Sequence, residues 1–206
     1  MIIKSINPFS GKKVNNYEAH SLQGTNRIIN SVDKAFHNWR NTNFQQRAAF
    51  MLNLASILRS EKEELAKLMA IEMGKGMCEG VAEIEKCAWV CEYYAQNAET
   101  MLENETIETQ YSLSYVSYQP LGTILAVMPW NFPFWQVFRF LAPTLMAGNT
   151  AVLKHASNVP GCALAIEELV REAGFPENVF RTLLVGSSMV EGIIRNPVVK
   201  AVSLTG

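Results

Sequence analysis

Along the first hundred residues, apolar side chains return every three or four positions, the period of helices that bury one face. Ile28, Ile29, Val32, Phe36 and Trp39 form the first such face, on a predicted helix that Thr25 or Asn26 can cap. A second helix is predicted from about Phe44 through Ala48, Met51, Ala55 and Leu58, and a third from about Glu61 to Met73, closed by Gly74. A fourth, roughly Cys78 to Ala98, carries Ile84, Ala88, Cys91, Tyr94, Ala95 and Ala98 on its buried stripe. Only a short extended lead precedes them.

The texture changes at Glu103. Through Gln119 polar residues alternate with Tyr111, Leu113, Tyr115 and Tyr118, which predicts extended strands that project and pair with another element or subunit. From Thr123 onward, strand and helix patterns take turns. The predicted strands are Thr123 to Met128, Thr150 to Lys154, Val179 to Val185 and Val199 to Leu204; the predicted helices are Pro133 to Ala147, Pro160 to Ala173 and Met189 to Arg195. Strands rich in Val, Ile and Leu, separated by helices, predict an α/β fold with a parallel sheet covered on both faces. The expected organisation is a helical part over 1–102, an extended pairing segment over 103–119 and a parallel α/β part over 120–206.

Composition excludes several classes. A chain of 206 residues that is 49% hydrophobic can bury a sizeable core. Eighteen basic and nineteen acidic residues leave a net charge of -1 with no like-charge block, so neither nucleic acid nor an anionic membrane is an expected partner. The opening MIIKSINPFSGKKV has no apolar core of a secretion signal, and the most apolar stretch, Phe132 to Gly148, is 17 residues interrupted by Arg139 and Pro143. No membrane span is expected, and a soluble cytoplasmic protein is. Cys78, Cys87, Cys91 and Cys162 have too few partners for a metal site, His20, His37 and His155 form no cluster, and reduced interior thiols are the expectation.

Ligands of open parallel sheets bind beyond the carboxyl ends of the strands. The unusual residues of the second half fall there: Pro129, Trp130 and Asn131 after the first strand, Lys154 to Ser157 after the second, Gly186 to Ser188 after the third, Thr205 and Gly206 after the fourth. Helix N-termini at that edge are expected to offer free N–H groups to an anion such as a pyrophosphate. No G-x-G-x-x-G is present, so the pattern predicts a nucleotide-like ligand without the standard fingerprint. Within LAVMPWNFPFW, Asn131 on its own suits a helix cap or turn as well as a functional donor.

The ordered run P-W-N-F-P, A-G-N-T-x-V-x-K and A-G-F-P, with PLGTILAVM before it and AVSLTG after it, resembles the NAD(P)-dependent aldehyde dehydrogenase superfamily. Within it, the W-N-F-P-x-W-Q-V and L-K-H-A patterns look most similar to bacterial succinate-semialdehyde dehydrogenase-like enzymes. INPFSGKKV resembles the family's N-terminal lead, so the likeness covers essentially the whole chain. It implies a Rossmann-like, aldehyde dehydrogenase-like fold, incomplete here, and oxidation of an aldehyde to its acid with NAD or NADP through a cysteine thiohemiacetal. Asn131 would donate its amide to the substrate oxygen. Val127, Met128, Pro129 and Trp130 would line the cofactor cleft, although Trp130 suits plain core equally. Lys154 matches the lysine that hydrogen-bonds the adenosine ribose. Ser157 stands where NAD-preferring relatives often carry a glutamate; without that carboxylate a 2′-phosphate meets less repulsion, so NADP is expected to be accepted, with Lys154, His155 and Ser157 around the phosphate.

The same resemblance gives Gly186 a close approach to the adenine and places Thr205 and Gly206 in the T-G-S element that meets the pyrophosphate. Phe132, Trp135 and Phe138, spaced by three, would line an aldehyde tunnel, and a buried aromatic stripe explains them nearly as well. Arg139 stands where many relatives carry a basic residue near the active site, whereas the arginine that holds the carboxylate in some succinate-semialdehyde enzymes falls at Phe138. The family's nucleophilic cysteine and general-base glutamate lie beyond the T-G-S element, so the 206 residues alone are expected to be inactive. A non-catalytic dinucleotide-binding or structural fragment is the competing reading. A small aldehyde and a second or further copies of the chain, as homodimer or tetramer, are the expected partners.

Overall fold

The computed structural model describes residues 2–206. An antiparallel hairpin of β1 (Ile2–Ile6) and β2 (Lys13–Glu18) leads into three helices, α1 (Leu22–Trp39), α2 (Phe44–Met73) and α3 (Met77–Met101). A small antiparallel pair follows, β3 (Glu105–Thr106) with β4 (Tyr115–Val116). Then come β5 (Thr123–Met128), α4 (Trp135–Met146), β6 (Thr150–His155), α5 (Pro160–Glu172), β7 (Phe180–Thr182), a 3-10 turn at Ser187–Met189, α6 (Val190–Ile194) and β8 (Val199–Leu204). The last four strands form one parallel sheet, as the alternating pattern predicts, and their order is β7-β6-β5-β8.

Four local expectations differ. α1 starts before Thr25, because the Ser21 hydroxyl accepts the Gly24 N–H at 3.1 Å and caps the helix; Thr25 is buried in its first turn. The predicted second and third helices are one 30-residue helix, α2. No glycine or proline interrupts residues 59–61, and Arg59 and Lys62 both reach Glu85 of α3, so the turn is held in register. Gly74 closes α2 in the left-handed conformation, at φ 78°. The third strand of the sheet is three residues long, because Leu184 leaves the ladder and pairs with the backbone and ring of His20 instead. Cys87, Cys91 and Cys162 are buried free thiols, whereas Cys78 is exposed on the first turn of α3.

Successive strand residues alternate between two apolar layers. Leu125, Val152, Leu183 and Val185 pack with Ile29 and Val32 of α1 and Ile193 of α6. On the opposite face, Ala126, Met128, Ala151 and Leu153 meet α4 and α5, and this layer continues without a break into Leu54, Met69, Ile84 and Cys87 of α2 and α3. The helical first half therefore shares the core of the sheet.

Polar ties fix that second layer. Neither α4 nor α5 has a side-chain cap of its own. Glu83 of α3 supplies one oxygen to the N–H groups of Phe134 and Trp135, each at 2.9 Å. Glu72 of α2 takes the N–H groups of Gly161 and Cys162 at 3.0 and 2.8 Å. At the far end of α4, Arg47 of α2 donates to the Met146 carbonyl at 2.6 Å, so the dipole of α4 is matched at both ends. The amides that an anion was expected to meet at α4 and α5 are thus already bonded to carboxylates. Gly161 permits this approach, since a Cβ there would lie 2.8 Å from a Glu72 oxygen and 2.9 Å from the Tyr17 hydroxyl.

Glu72→Ala leaves one buried and one part-buried donor, the Cys162 and Gly161 N–H groups, without a partner, and the expected loss is about 2–4 kcal/mol of unfolding free energy. Urea denaturation of the chain followed by circular dichroism measures it; a loss below about 0.5 kcal/mol, the scale of an ordinary surface substitution, contradicts the assignment.

Candidate active site at the carboxyl edge of the sheet

The parallel registers bring the predicted residues to one edge. Val127 of β5 lies beside Lys154 of β6 and Leu204 of β8, and Met128 lies beside His155. The Thr205 N–H donates to the Val127 carbonyl at 3.1 Å, which extends the ladder one residue past β8. Val127 is partly buried and Met128 buried; Ser157 and Gly206 are exposed, and Gly186 is partly buried where it begins the 3-10 turn.

Lys154 is not a surface lysine: it is 8% exposed, and its ammonium has no hydrogen-bond or ion-pair partner among the described residues. Burial lowers its pKa. The stem of Lys154 is packed, but the ammonium itself reaches solvent at the carboxyl edge of the sheet, and a cation there with no protein partner fits the polar or anionic portion of a nucleotide.

His155 is oriented elsewhere. It is 5% exposed; its Nε2 donates to the Pro133 carbonyl at 2.8 Å, while Nδ1 accepts the Ala156 N–H at 2.8 Å. Those partners require the neutral ring with its proton on Nε2. Burial drives its pKa down to about 4, the backbone bonds to Pro133 and Met128 oppose this, and Lys154 adds to it. The expectation that His155 stands at a cofactor phosphate is corrected: a neutral imidazole beneath the β5–α4 loop anchors that loop.

Asn131 projects from the loop and is exposed. It lines an open cavity of about 620 Å³ with Lys75, Glu83, Lys86, Trp130, Phe132 and Trp135 among its walls. Trp130 is half exposed, at 50%, which argues against plain core. Pro129 is partly buried at the start of the loop. The Lys75 ammonium sits 3.9 Å from the centroid of the Phe132 ring, and that of Lys86 lies 4.0 Å from the Trp135 ring. Phe138 departs from the expected wall. It is fully buried, because the inward ridge of α4 runs through Phe134, Phe138, Leu141 and Leu145 rather than through the spacing of three. Arg139, the next residue, is exposed and lines a second cavity of about 430 Å³ with Met128, Trp135, Ser203 and Thr205. Its guanidinium donates to the Thr205 hydroxyl at 3.1 Å.

Residue patterns alone miss Glu72, Glu83, Lys75 and Arg47. A signal exists for Glu83: it precedes Cys87 by four positions on the apolar stripe of α3, and a carboxylate on a buried stripe requires a buried partner. Its partner is Lys75, with which it forms an ion pair. The thiols of Cys87, Cys91 and Cys162 are all pushed up by burial, Cys162 also by the charge of Glu72, so none is disposed to ionise.

A parallel sheet carrying this loop, this lysine and the chain order around them defines the class: the model of the aldehyde dehydrogenase family matches residues 1–206, and the chain belongs to that family. Among curated relatives, it is 48% identical over 206 residues to a probable succinate-semialdehyde dehydrogenase [NADP(+)] of Synechocystis sp., covering all of this chain and 45% of that protein. It is 46% identical over 209 residues to succinate-semialdehyde dehydrogenase [NADP(+)] 1 of Mycobacterium tuberculosis, covering all of this chain and 46% of that protein. The chain thus spans about half the length of the curated relatives it matches. Among solved structures, succinic semialdehyde dehydrogenase from Streptococcus pyogenes in complex with NADP+ superposes with a TM-score of 0.93 at 33% identity, over 97% of this chain and 44% of that one.

The low pKa of His155 has a consequence for stability. The folded protein keeps the ring neutral down to about pH 4, whereas an unfolded chain protonates it near 6.5, so this contribution is present above pH 6.5 and is lost as pH falls toward 4. Urea midpoints at pH 7 and pH 4.5 are expected to differ less in His155→Gln than in the wild type. Equal differences contradict the assignment.

Proposed function

We propose that residues 1–206 form the cofactor-binding and oxyanion-donating portion of an NADP-using aldehyde dehydrogenase that oxidises succinate semialdehyde to succinate, with the nucleophilic cysteine and general base outside these residues. The observation that carries this reading is Asn131, exposed on an open cavity at the carboxyl edge of the sheet, in a loop whose following residues are tied down from below. A thiolate adding to the aldehyde carbon turns the carbonyl oxygen into an anion. A neutral, fixed amide suits a charge that exists only in the transition state. Bound nicotinamide supplies the hydride acceptor, and water then releases the acid.

Lys154, whose packed stem presents an unpartnered ammonium at the sheet edge, takes the adenosine ribose and its 2′-phosphate; Ser157, exposed two residues past β6, adds a neutral hydroxyl where a carboxylate would repel. The backbone of Val127, Met128, Pro129 and Trp130 forms one wall of the cofactor cleft, and Gly186, Thr205 and Gly206 form its rim. Arg139, exposed on the neighbouring cavity, takes the distal carboxylate of a semialdehyde, a task for which the buried, uncharged Phe138 has no group. Phe132 and Trp135 line the approach. Tyr111, Leu113, Tyr115 and Tyr118, all exposed around β3 and β4, are the proposed pairing surface of a cytoplasmic homo-oligomer. No helix among the described residues is long and apolar enough to cross a membrane.

The test is turnover of succinate semialdehyde by the protein expressed from its complete reading frame. Asn131→Ala is expected to lower kcat about 10²- to 10³-fold while the fold persists, and a fall of less than about fivefold contradicts the oxyanion role. For the cofactor, kcat/KM with NADP is expected to equal or exceed that with NAD; a preference for NAD of about a hundredfold, roughly 2.7 kcal/mol, overturns that assignment. A product that binds NADP without oxidising any aldehyde favours the non-catalytic reading.

A further inference from the structure

The Asn131 side chain has no hydrogen bond to another protein group among the described residues, so its aim is set by its backbone. The four residues after it are each held. The Lys75 ammonium lies over the Phe132 ring, His155 donates to the Pro133 carbonyl, and a single Glu83 oxygen accepts the N–H groups of both Phe134 and Trp135. The other Glu83 oxygen pairs with Lys75. Three of these four ties therefore converge on one buried ion pair. Glu83 stands on the long helix α3, packed along α2, and Lys75 stands in the turn between those helices. Glu79 and Lys86 are the other charged groups on this cavity, and both are exposed.

We propose that Glu83, locked in place by Lys75, is the positioning residue for Asn131: it registers the Asn131 loop against the helical layer and so sets where the amide meets the reacting oxygen. A cap within the loop would steady the start of α4 yet move with it. A carboxylate from a different helix fixes that start relative to the scaffold. The Lys75 contact with Phe132, one residue from Asn131, serves no purpose in capping and bears directly on the aim of the amide. Glu83 itself acts through the loop backbone and not on the substrate. Donors of this kind work when held within about 0.5 Å of the productive geometry, and a displacement of about 1 Å costs on the order of 10²-fold in rate.

The inference rests on the functional reading above, and a double-mutant cycle in the protein from the complete reading frame separates the two. E83Q keeps an acceptor for the two amides and breaks the pair with Lys75. K75M/E83Q also removes the lysine charge, so no buried ion is left unpaired if E83Q alone fails to fold. Either variant is expected to lower kcat at least about tenfold beside an intact Asn131 and less than about twofold in the N131A background, because groups that act as one unit are not additive. Equal losses in both backgrounds, as a purely structural role produces, overturn the proposal; so does a kcat unchanged beside Asn131. If N131A itself leaves turnover unaltered, the oxyanion reading fails and this inference falls with it.

Discussion

Two carboxylates carried on the outer helical layer accept the backbone amides that begin α4 and α5, and the arrangement of everything else at the sheet edge follows from that. Burying a carboxylate is costly unless its oxygens are satisfied. Here each receives two charge-assisted bonds at a positive helix end, and Glu83 gains Lys75 as well. The reward is geometric. Helices that cross the sheet are tied at their first turns to α2 and α3, and Arg47 repeats the tie at the end of α4. The A-G-N-T turn belongs to the same scheme: Asn149 accepts the Leu121 and Gly122 N–H groups at 2.7 and 3.2 Å and sets the start of β5.

This scheme decides what remains for a ligand. With the first turns of α4 and α5 filled, the polar groups left for a ligand at the carboxyl edge include the exposed amide of Asn131, the unpartnered ammonium of Lys154 and the exposed hydroxyls of Ser157, Ser187 and Ser188. Asn131 opens on the cavity shared with α2 and α3, while Lys154 lies beside Val127 on the strand face toward α1 and α6. They share an edge of the sheet and not a cavity, which suits a ligand long enough to cross that edge.

Much of the fold was legible because period and composition agree. β5 and β8 span the predicted residues, since Val- and Leu-rich runs bounded by proline and glycine leave a parallel strand little choice. The break predicted inside α2 failed for a different reason: Arg59 to Glu61 look like a polar interruption in one dimension, and only the ion pairs to α3 show why the helix runs through. In the site, residue chemistry marked the right edge and misjudged orientation. His155 and Phe138 were placed by type and spacing, but a side chain one position along a strand or helix faces another layer. Glu72 has backbone amides 89 and 90 residues away as partners, which no local pattern carries, whereas Glu83 is marked in the sequence only by its place on the apolar stripe of α3.

The central claim is that a bound dinucleotide leaves the carboxylate-filled helix starts alone and settles around Lys154. Backbone amide shifts, followed by NMR while NADP is titrated into the isotopically labelled protein, test it most directly. The account predicts that the Lys154 and Ser157 amides move while those of Phe134, Trp135, Gly161 and Cys162 stay in place. Saturable shifts at those four amides, with Lys154 and Ser157 unmoved, would mean that the cofactor phosphates take the places of Glu83 and Glu72, and would contradict it.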